Sequence, residues 1–298
     1  MYRDQVINIQ MRKCIHVYTQ KSHNQGFADF IRGSICLYQY CNKYNYTFYI
    51  DQNSHPVFQY LQHDFYINDT NKDQNLIIEK IRPNPLDNHK KLTKLFKCNK
   101  NINICTSALY LDRYGNPTGY DNVYSELSPE YKKFAKTILQ PNEYLEKHIN
   151  KIFNEIYQIN SPEYSVIHLR LPDIETGVEE KTDIYNPYDI NNIIDNIRNI
   201  LIKNDNTLHI LLCSSNTQGK MINEKLNNYS NFKYWDNNKV HIGYVGEKPN
   251  HQFIIDTLID FFTIARSNKI YQFSVYGHGS GFSQISSRIF DIKIERFN

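Results

Sequence analysis

The sequence predicts an α/β protein built from two doubly wound domains whose sheets are largely parallel. Strand-like and helix-like segments alternate in both halves of the 298 residues, and this alternation is typical of βαβ units and therefore of parallel sheets. The length also suffices for two domains of ordinary size. A polar, turn-like stretch near residue 160 separates a domain of residues 1–160 from a domain of residues 161–298.

The amino-terminal half begins with a short apolar strand over 13–18 and a polar turn that ends at Gly26. Apolar residues at helical spacing predict a helix over 27–43. An aromatic and β-branched run then predicts a strand over 46–50. The start of the helix offers unpaired N–H groups to an anion, so Gly26 is a candidate binding residue, with an ordinary tight connection as the alternative.

In the middle of the chain, strand-like and helix-like segments alternate less clearly. Residues 64–100 are polar, and we interpret them as loop with short elements, followed by a strand over 103–109. A serine–proline pair at 128–129 predicts a helix start, with proline at the first helical position. Pro141 ends this helix, and a second helix is expected to run to about residue 157.

The carboxyl-terminal half repeats the alternation more regularly. We expect strands over 164–169, 207–213, 239–242 and 269–274, and helices over 187–203, 216–226, 252–266 and from a glycine-rich turn to about 290. Parallel strands end at the same edge of their sheet, and ligands of open α/β sheets bind at that edge.

The first of these strands ends in a polar motif, His168-Leu-Arg170-Leu-Pro-Asp173. Side chains alternate along a strand, so His168 and Arg170 share one face. Arginine is the side chain best shaped for two-pronged contact with phosphate. A surface strand edge with a salt bridge is the alternative interpretation.

Two further strand ends also carry polar groups. One is Ser214-Ser215-Asn216, and the other leads into Ser280-Gly-Phe282-Ser283-Gln284. Glycines, hydroxyls and a helix start form an arrangement that suits phosphate, although a plain turn is the alternative. No Gly-Lys-Ser/Thr follows these glycines, so the turn is not a nucleoside triphosphatase phosphate loop. The dinucleotide-binding motif G-x-G-x-x-G is also absent, which argues against an oxidoreductase.

Composition excludes several classes of function. A balance of 34 Lys+Arg against 31 Asp+Glu gives a net charge of +3, too small to favour a nucleic-acid binder. No run approaches ~20 apolar residues, and the start lacks an apolar signal segment, so we expect a cytoplasmic protein without a membrane span. The six cysteines form no C-x-x-C pair, which argues against disulfides and metal sites.

Taken together, these motifs resemble the ordered motifs of the fucosyltransferase superfamily, which includes α1,2-, α1,6-, protein O- and nodulation fucosyltransferases. The first motif resembles that superfamily's His-x-Arg-Arg-x-Asp, and Ser280-Gly-Phe-Ser283 resembles its Ser-x-Phe-Ser. The strand that ends in Cys213-Ser-Ser-Asn216 occupies the position of that superfamily's second motif in the order of the chain. The stretch from Gln25 to Gly33 is similar to its glycine-rich first turn and helix.

The resemblance implies a GT-B-like fold, in which two Rossmann-like domains face one another. The carboxyl-terminal domain would bind the nucleotide sugar, and the amino-terminal domain would hold the acceptor, a glycan or protein hydroxyl. The donor would be GDP-fucose, and transfer would invert the anomeric carbon without a metal or another cofactor. The absence of an Asp-x-Asp motif fits this expectation, since a metal-dependent transferase needs one.

The resemblance also implies roles for single residues. Arg170 would bind the β-phosphate, and His168 would support the diphosphate site. Asp260 would accept from guanine N1 and N2, which a carboxylate can do, with a solvated helix residue as the alternative. The remaining candidate donor-binding residues belong to the three motifs and the first turn: Gly26, Ser214, Ser215, Ser280, Phe282, Ser283 and Gln284.

An inverting transfer needs a carboxylate or histidine near the acceptor hydroxyl as a base, or strong stabilisation of the leaving group alone. We expect Asp173 to shape the site. The candidate bases are the glutamates that follow the first motif, for which we name Glu179, with Glu175 and Glu180 as further candidates. Asp29 in the amino-terminal half is a further candidate.

The chain departs from the superfamily pattern at two places. Leu171 stands where the first motif has its second arginine, and Ser214-Ser215-Asn216 stands where the second motif carries acidic residues. These departures keep two alternatives open, a nucleotide- or sugar-binding module without catalysis and a transferase that uses another nucleotide sugar.

Overall fold

The described part of the chain forms two five-stranded sheets and the helices that pack on them. The computed structural model describes residues 12–18, 26–67, 77–81, 85–98, 100–106, 111–112, 127–159, 163–172, 188–238, 242, 250–277 and 279–297. Within these residues every pair of neighbouring strands is parallel. The predicted α/β class with two parallel sheets is therefore confirmed.

The first sheet has the strand order β3-β2-β1-β5-β4. Its strands are β1 (Arg12–His16), β2 (Tyr46–Asp51), β3 (Tyr66–Ile67), β4 (Ile77–Ile81) and β5 (Ile102–Thr106). The helices of this half are α1 (Phe27–Tyr44), α2 (Pro85–Lys97), α3 (Pro129–Ile138) and α4 (Glu143–Ile152). Short 3₁₀ turns cover Gln52–Ser54 and Pro56–Tyr60, and one π-helical turn, Phe153–Tyr157, follows α4.

The second sheet has the strand order β10-β9-β6-β7-β8. Its strands are β6 (Tyr164–Arg170), β7 (Leu208–Cys213), β8 (Phe232–Tyr234), β9 (Lys269–Ser274) and β10 (Lys293–Phe297). Its helices are α5 (Ile190–Lys203), α6 (Asn216–Leu226), α7 (His251–Ala265) and α8 (Gly281–Phe290). The central strand β6 is buried on both faces, as expected for a parallel sheet that is covered by helices.

Helix α1 packs between the first sheet and the helices of the second half. Its beginning is fixed by Asp29, whose carboxylate accepts the Gly26 N–H at 3.1 Å. Gly33 lies against β5, where a Cβ would lie 2.0 Å from the Thr106 carbonyl oxygen, so this contact requires glycine. On the opposite side Phe27 meets Phe261 of α7, with ring centroids 5.3 Å apart. A single apolar core therefore joins the two halves.

Most predicted elements are confirmed to within a few residues, but the interpretation of 64–100 as loop with short elements is wrong. That range contains α2, whose first residue is Pro85, and proline at the first helical position is a known start signal. Leu92 and Phe96, four residues apart, are both buried. The polar surroundings obscured this periodicity, because they lower the mean hydropathy of the segment.

The strand expected over 239–242 also differs, because the described strand in this region is β8 at Phe232–Tyr234 and 239–241 lie outside the described residues. Strand β10 was not predicted. Three of its five residues are charged, and it lies at the edge of the sheet, where charged side chains are common. The proposed domain boundary falls on residues 160–162, which are outside the described part, and it stays a prediction.

The cysteines and the helices also bear on the questions of disulfides and membrane spans. All six cysteines are free thiols, and five of them are buried. Among the described residues no helix has the length and apolar character needed to cross a membrane.

Candidate functional site

The three predicted motif strands are neighbours in the second sheet, with β6 between β9 and β7. Arg170 at the end of β6 lies in register with Ser274 at the end of β9. On the other side the Ser214 N–H donates to the Leu169 carbonyl at 3.0 Å. Because all three strands are parallel, their polar ends come together at one edge of the sheet, as the sequence predicted.

The first and third motifs are joined directly by a buried hydrogen bond between His168 and Ser283. The His168 Nδ1 atom lies 2.5 Å from the Ser283 Oγ atom, and both side chains are buried. Gln272 of β9, which is the register partner of His168, donates from Nε2 to the same Ser283 Oγ at 3.0 Å. This arrangement allows the Ser283 hydroxyl to donate to the imidazole while it accepts from the amide.

Gln272 also fixes the start of α8, since its Nε2 atom donates to the Ser280 carbonyl at 3.2 Å. Sequence reasoning missed Gln272. The available signal was a polar residue within the apolar run of β9, and its position opposite His168 became visible only in the structure.

Gly279 shapes the turn that precedes α8. Its φ of +77° is a conformation that residues with a side chain rarely adopt. A Cβ there would lie 2.7 Å from Gln284 Nε2 and 2.9 Å from Gln272 Oε1. The two amide side chains therefore occupy the space next to this backbone, and Gln284 is buried at the predicted site.

Arg170 lies at the rim of the site. Its guanidinium carbon is 5.1 Å from the centroid of the Tyr276 ring, and its Nη1 donates to the Leu171 carbonyl at 3.3 Å. The Arg170 side chain is half-buried, whereas His168, two residues earlier on β6, is buried. Stacking on a tyrosine orients a guanidinium while its edge remains available for hydrogen bonds. Tyr276 is a second residue that sequence reasoning missed.

The hydroxyls of Ser214 and Ser215 have partners within the protein. Ser214 Oγ accepts the Leu171 N–H at 2.8 Å and donates to the Leu171 carbonyl at 2.9 Å. Ser215 Oγ accepts the Gln218 N–H at 3.4 Å at the start of α6. Both serines therefore hold the edge of the site in shape, and their role in nucleotide binding stays a prediction.

Asp260 lies on α7 and is buried. Its Oδ1 atom accepts from Asn237 Nδ2 at 3.3 Å, and the buried Asn237 Oδ1 atom has no hydrogen-bond partner in the described part of the chain. Asp256, one turn earlier, accepts from Gln252 Nε2 at 2.7 Å and from the Asn238 N–H at 3.2 Å. Burial, opposed by these hydrogen bonds, raises the pKa of Asp256 above its ordinary value.

The start of α1 lies next to the start of α8. A Cβ at Gly281, the first residue of α8, would lie 3.5 Å from the Ala28 Cβ. Gly26 precedes Ala28 by two residues and is the N-cap of α1. The amino-terminal helix therefore reaches the same region as His168 and Ser283, although the sequence assigned it to another domain.

The predicted catalytic residues Asp173 and Glu179 lie outside the described residues, as do Glu175 and Glu180. Asp29 is described, and it forms an ion pair with Arg32 in addition to its contact with the Gly26 N–H. Within the described ranges, no group of three His, Cys, Asp or Glu side chains has an arrangement that could hold a metal ion.

The fold has clear counterparts among solved structures. The NodZ α-1,6-fucosyltransferase co-crystallised with GDP matches with a TM-score of 0.56 and 14% identity, over 97% of this chain and 96% of that one. A variant of Arabidopsis thaliana FUT1 in complex with GDP matches with a TM-score of 0.58 and 8% identity, over 96% and 70%. POFUT1 without ligand matches with a TM-score of 0.53 and 10% identity, over 96% and 97%.

No protein-family model matches the sequence, and no curated protein matches it. The structural matches nevertheless extend over nearly the whole chain, and they include NodZ from Bradyrhizobium at a TM-score of 0.55. The chain therefore has the GT-B-type α/β fold of the fucosyltransferases, as the motif resemblance implied.

Proposed function

We propose that this chain is a glycosyltransferase that transfers fucose from GDP-fucose to a hydroxyl of a glycan or protein. The observation that carries the proposal is the network of His168, Ser283 and Gln272, which joins two of the predicted motifs at the carboxyl-terminal edge of the second sheet. The fold supports it, since NodZ was crystallised with GDP and soaked with GDP-fucose, and POFUT1 was crystallised with GDP-fucose.

In the proposed reaction the acceptor oxygen attacks C1 of fucose from the face opposite the diphosphate. The bond between C1 and the β-phosphate oxygen breaks, and its electron pair leaves with GDP, so the configuration at C1 inverts. The acceptor proton passes to a base, for which a glutamate such as Glu179 is our candidate. Asp173 would position this segment.

The departing diphosphate gains negative charge, and preorganised donors at that position lower the barrier. Arg170, held over Tyr276, and the backbone N–H groups at the start of α8 would supply this stabilisation without a metal. Replacement of Arg170 by alanine should therefore abolish transfer and leave the fold intact. Fucosyl transfer and circular dichroism measure the two effects, and a fully active R170A variant would refute the assignment.

Asp260 is the proposed guanine ligand. Its carboxylate already accepts an amide N–H from Asn237, and guanine N1–H and N2–H are donors of the same kind. Asp260→Asn should weaken GDP binding by about 10- to 100-fold, the value of a charged hydrogen bond. Asp256→Asn is the matched control, because it makes the same change on the same helix at a carboxylate held by Gln252 and Asn238.

The proposal is tested first by thermal unfolding with GDP, GDP-fucose, UDP and ADP, each with and without a chelator. A ligand at about 100 times its Kd stabilises the native state by about 2.7 kcal/mol. Stabilisation by GDP and GDP-fucose, unchanged by chelator, supports the proposal. Stabilisation by UDP or ADP instead would leave a transferase with another donor, and no response to any nucleotide would contradict nucleotide binding.

A nucleotide-binding module without catalysis is the second candidate. It is favoured by Leu171, which takes the place of an arginine in the first motif and is fully buried. Such a protein would be stabilised by GDP, but it would neither transfer fucose to any acceptor nor hydrolyse GDP-fucose. The same purified sample distinguishes the two candidates.

A further inference from the structure

A buried asparagine, Asn237, lies beside the proposed guanine ligand Asp260. It follows β8, and the carboxyl end of β8 lies at the same edge of the second sheet as the ends of β6 and β7, because the three strands are parallel. Only 4% of Asn237 and 6% of Asp260 is exposed. The pair therefore lies at the edge where the motifs meet, in a place that is shielded from water.

The orientation of the Asn237 amide is defined by its two donor contacts. Its Nδ2 atom donates to Asp260 Oδ1 at 3.3 Å and to the Asp256 carbonyl at 3.5 Å. If the amide were turned over, its oxygen would face two acceptors and could bond to neither. The amide nitrogen therefore faces α7, and the amide oxygen points away from these two acceptors.

The oxygen of this amide, Asn237 Oδ1, is a buried acceptor. It has no hydrogen-bond partner in the part of the chain that the structure describes, although an amide oxygen has two lone pairs to offer. Buried polar groups are nearly always paired, so an exception calls for a functional explanation. The position of this oxygen next to Asp260 points to a ligand that donates to both side chains.

Guanine has the donors that fit the two side chains. Its N2 amino group carries two hydrogens, and a carboxylate that pairs with N1–H and one N2 hydrogen leaves the second N2 hydrogen over. Two acceptors of one amino group lie about 5 Å apart. Asn237 Oδ1 and Asp260 Oδ1 are at most about 5.6 Å apart, since 3.3 Å separate Asp260 Oδ1 from Asn237 Nδ2 and about 2.3 Å separate the two ends of an amide. This limit is compatible with one amino group between the two oxygens.

We propose that Asn237 is a specificity-determining residue whose Oδ1 atom accepts the second N2 hydrogen of guanine. The inference rests on the proposed function, and it deepens it by naming the side chain that recognises the guanine amino group. Asp260 takes N1–H and the first N2 hydrogen, and the Asn237 Nδ2 atom holds that carboxylate in place. A base without the amino group leaves Asn237 Oδ1 unpaired, and a site with unpaired buried groups discriminates strongly.

The experiment measures binding of GDP and of N2-methyl-GDP by calorimetry, for the full chain and two variants. The methylated ligand keeps N1–H and one N2 hydrogen for Asp260 and loses the hydrogen that Asn237 would accept. Asn237→Ala removes the acceptor. Asn238→Ala is the matched control, because the Asn238 side chain is exposed and only its backbone N–H contacts Asp256.

We expect the wild type and Asn238→Ala to bind N2-methyl-GDP about 10-fold more weakly than GDP. In Asn237→Ala the difference should fall to about 2-fold or less. Both ligands make the same contacts with Asp260, so a role of Asn237 limited to holding Asp260 would weaken both ligands and leave their ratio unchanged. An unchanged ratio in a folded Asn237→Ala variant therefore overturns the inference.

The wild-type measurement judges the inference without any variant. Equal affinity for GDP and N2-methyl-GDP overturns it and leaves the proposed function intact, because GDP still binds. Binding of neither ligand overturns both proposals. Should Asn237→Ala fail to fold, Asn237→Ser takes its place under the same criterion, since serine is also too short to reach the amino group.

Discussion

The hydroxyl of Ser283 connects β6, β9 and α8, and its removal should destabilise the protein more than any other serine-to-alanine change in α8. Ser283 is fully buried. Its Oγ atom contacts His168 Nδ1 at 2.5 Å and accepts from Gln272 Nε2 at 3.0 Å. Ser283→Ala therefore takes a partner from two buried polar groups at once.

The magnitude follows from these two groups. Each buried donor or acceptor that loses its partner costs about 1–3 kcal/mol, while Gln272 Nε2 keeps its contact with the Ser280 carbonyl. We therefore expect Ser283→Ala to lower the free energy of unfolding by about 2–4 kcal/mol. Urea denaturation followed by circular dichroism measures it.

Ser286 provides the matched control, because it lies on the same helix and is equally buried. Its hydroxyl donates to the Phe282 carbonyl one turn earlier at 2.9 Å, a local bond whose loss changes helix stability little. Ser286→Ala should therefore cost less than about 1 kcal/mol. If the two variants are equally stable, the Ser283 network does not contribute as we argue.

Two further perturbations test the turn before α8 and the core of the first sheet. Gly279→Ala should lower the free energy of unfolding by about 1–3 kcal/mol in urea denaturation, because alanine disfavours the φ of +77° and its Cβ would meet two amide side chains. Gly277→Ala is the control and should be neutral, since no atom lies within contact distance of a Cβ there. Equal costs for the two variants would contradict this reasoning. Burial, opposed by a hydrogen bond to the Thr106 carbonyl, lowers the pKa of His16 from 6.5 to about 3. The unfolded chain therefore binds the extra proton between these pH values, and stability should fall by about 2 kcal/mol from pH 7 to pH 5. His16→Gln should remove that part of the acid slope, and an unchanged slope would contradict the assignment.

The class of the fold and the position of most elements could be predicted from local sequence patterns. Apolar runs such as Ile210–Cys213 and helix-start signals such as Ser128-Pro129 act through neighbouring residues in the chain. Their structural effect can therefore be predicted without knowledge of the tertiary contacts. The sequence also determined that His168, Arg170, Ser214 and Ser280 would meet, because parallel strands place their ends at one edge. Helix α2 was missed because its apolar face is short and its surroundings are polar.

Which polar residues act together within the site depends on how distant segments of the chain pack against each other. Gln272 reaches Ser283 because β9 pairs in register with β6, and the sequence does not state which strands are neighbours. Asn237 reaches Asp260 because the segment after β8 packs against α7, although the two residues are 23 positions apart in the chain. Contacts between distant segments depend on the packing of whole elements, and for that reason local patterns named the motif residues but not the side chains that complete the site.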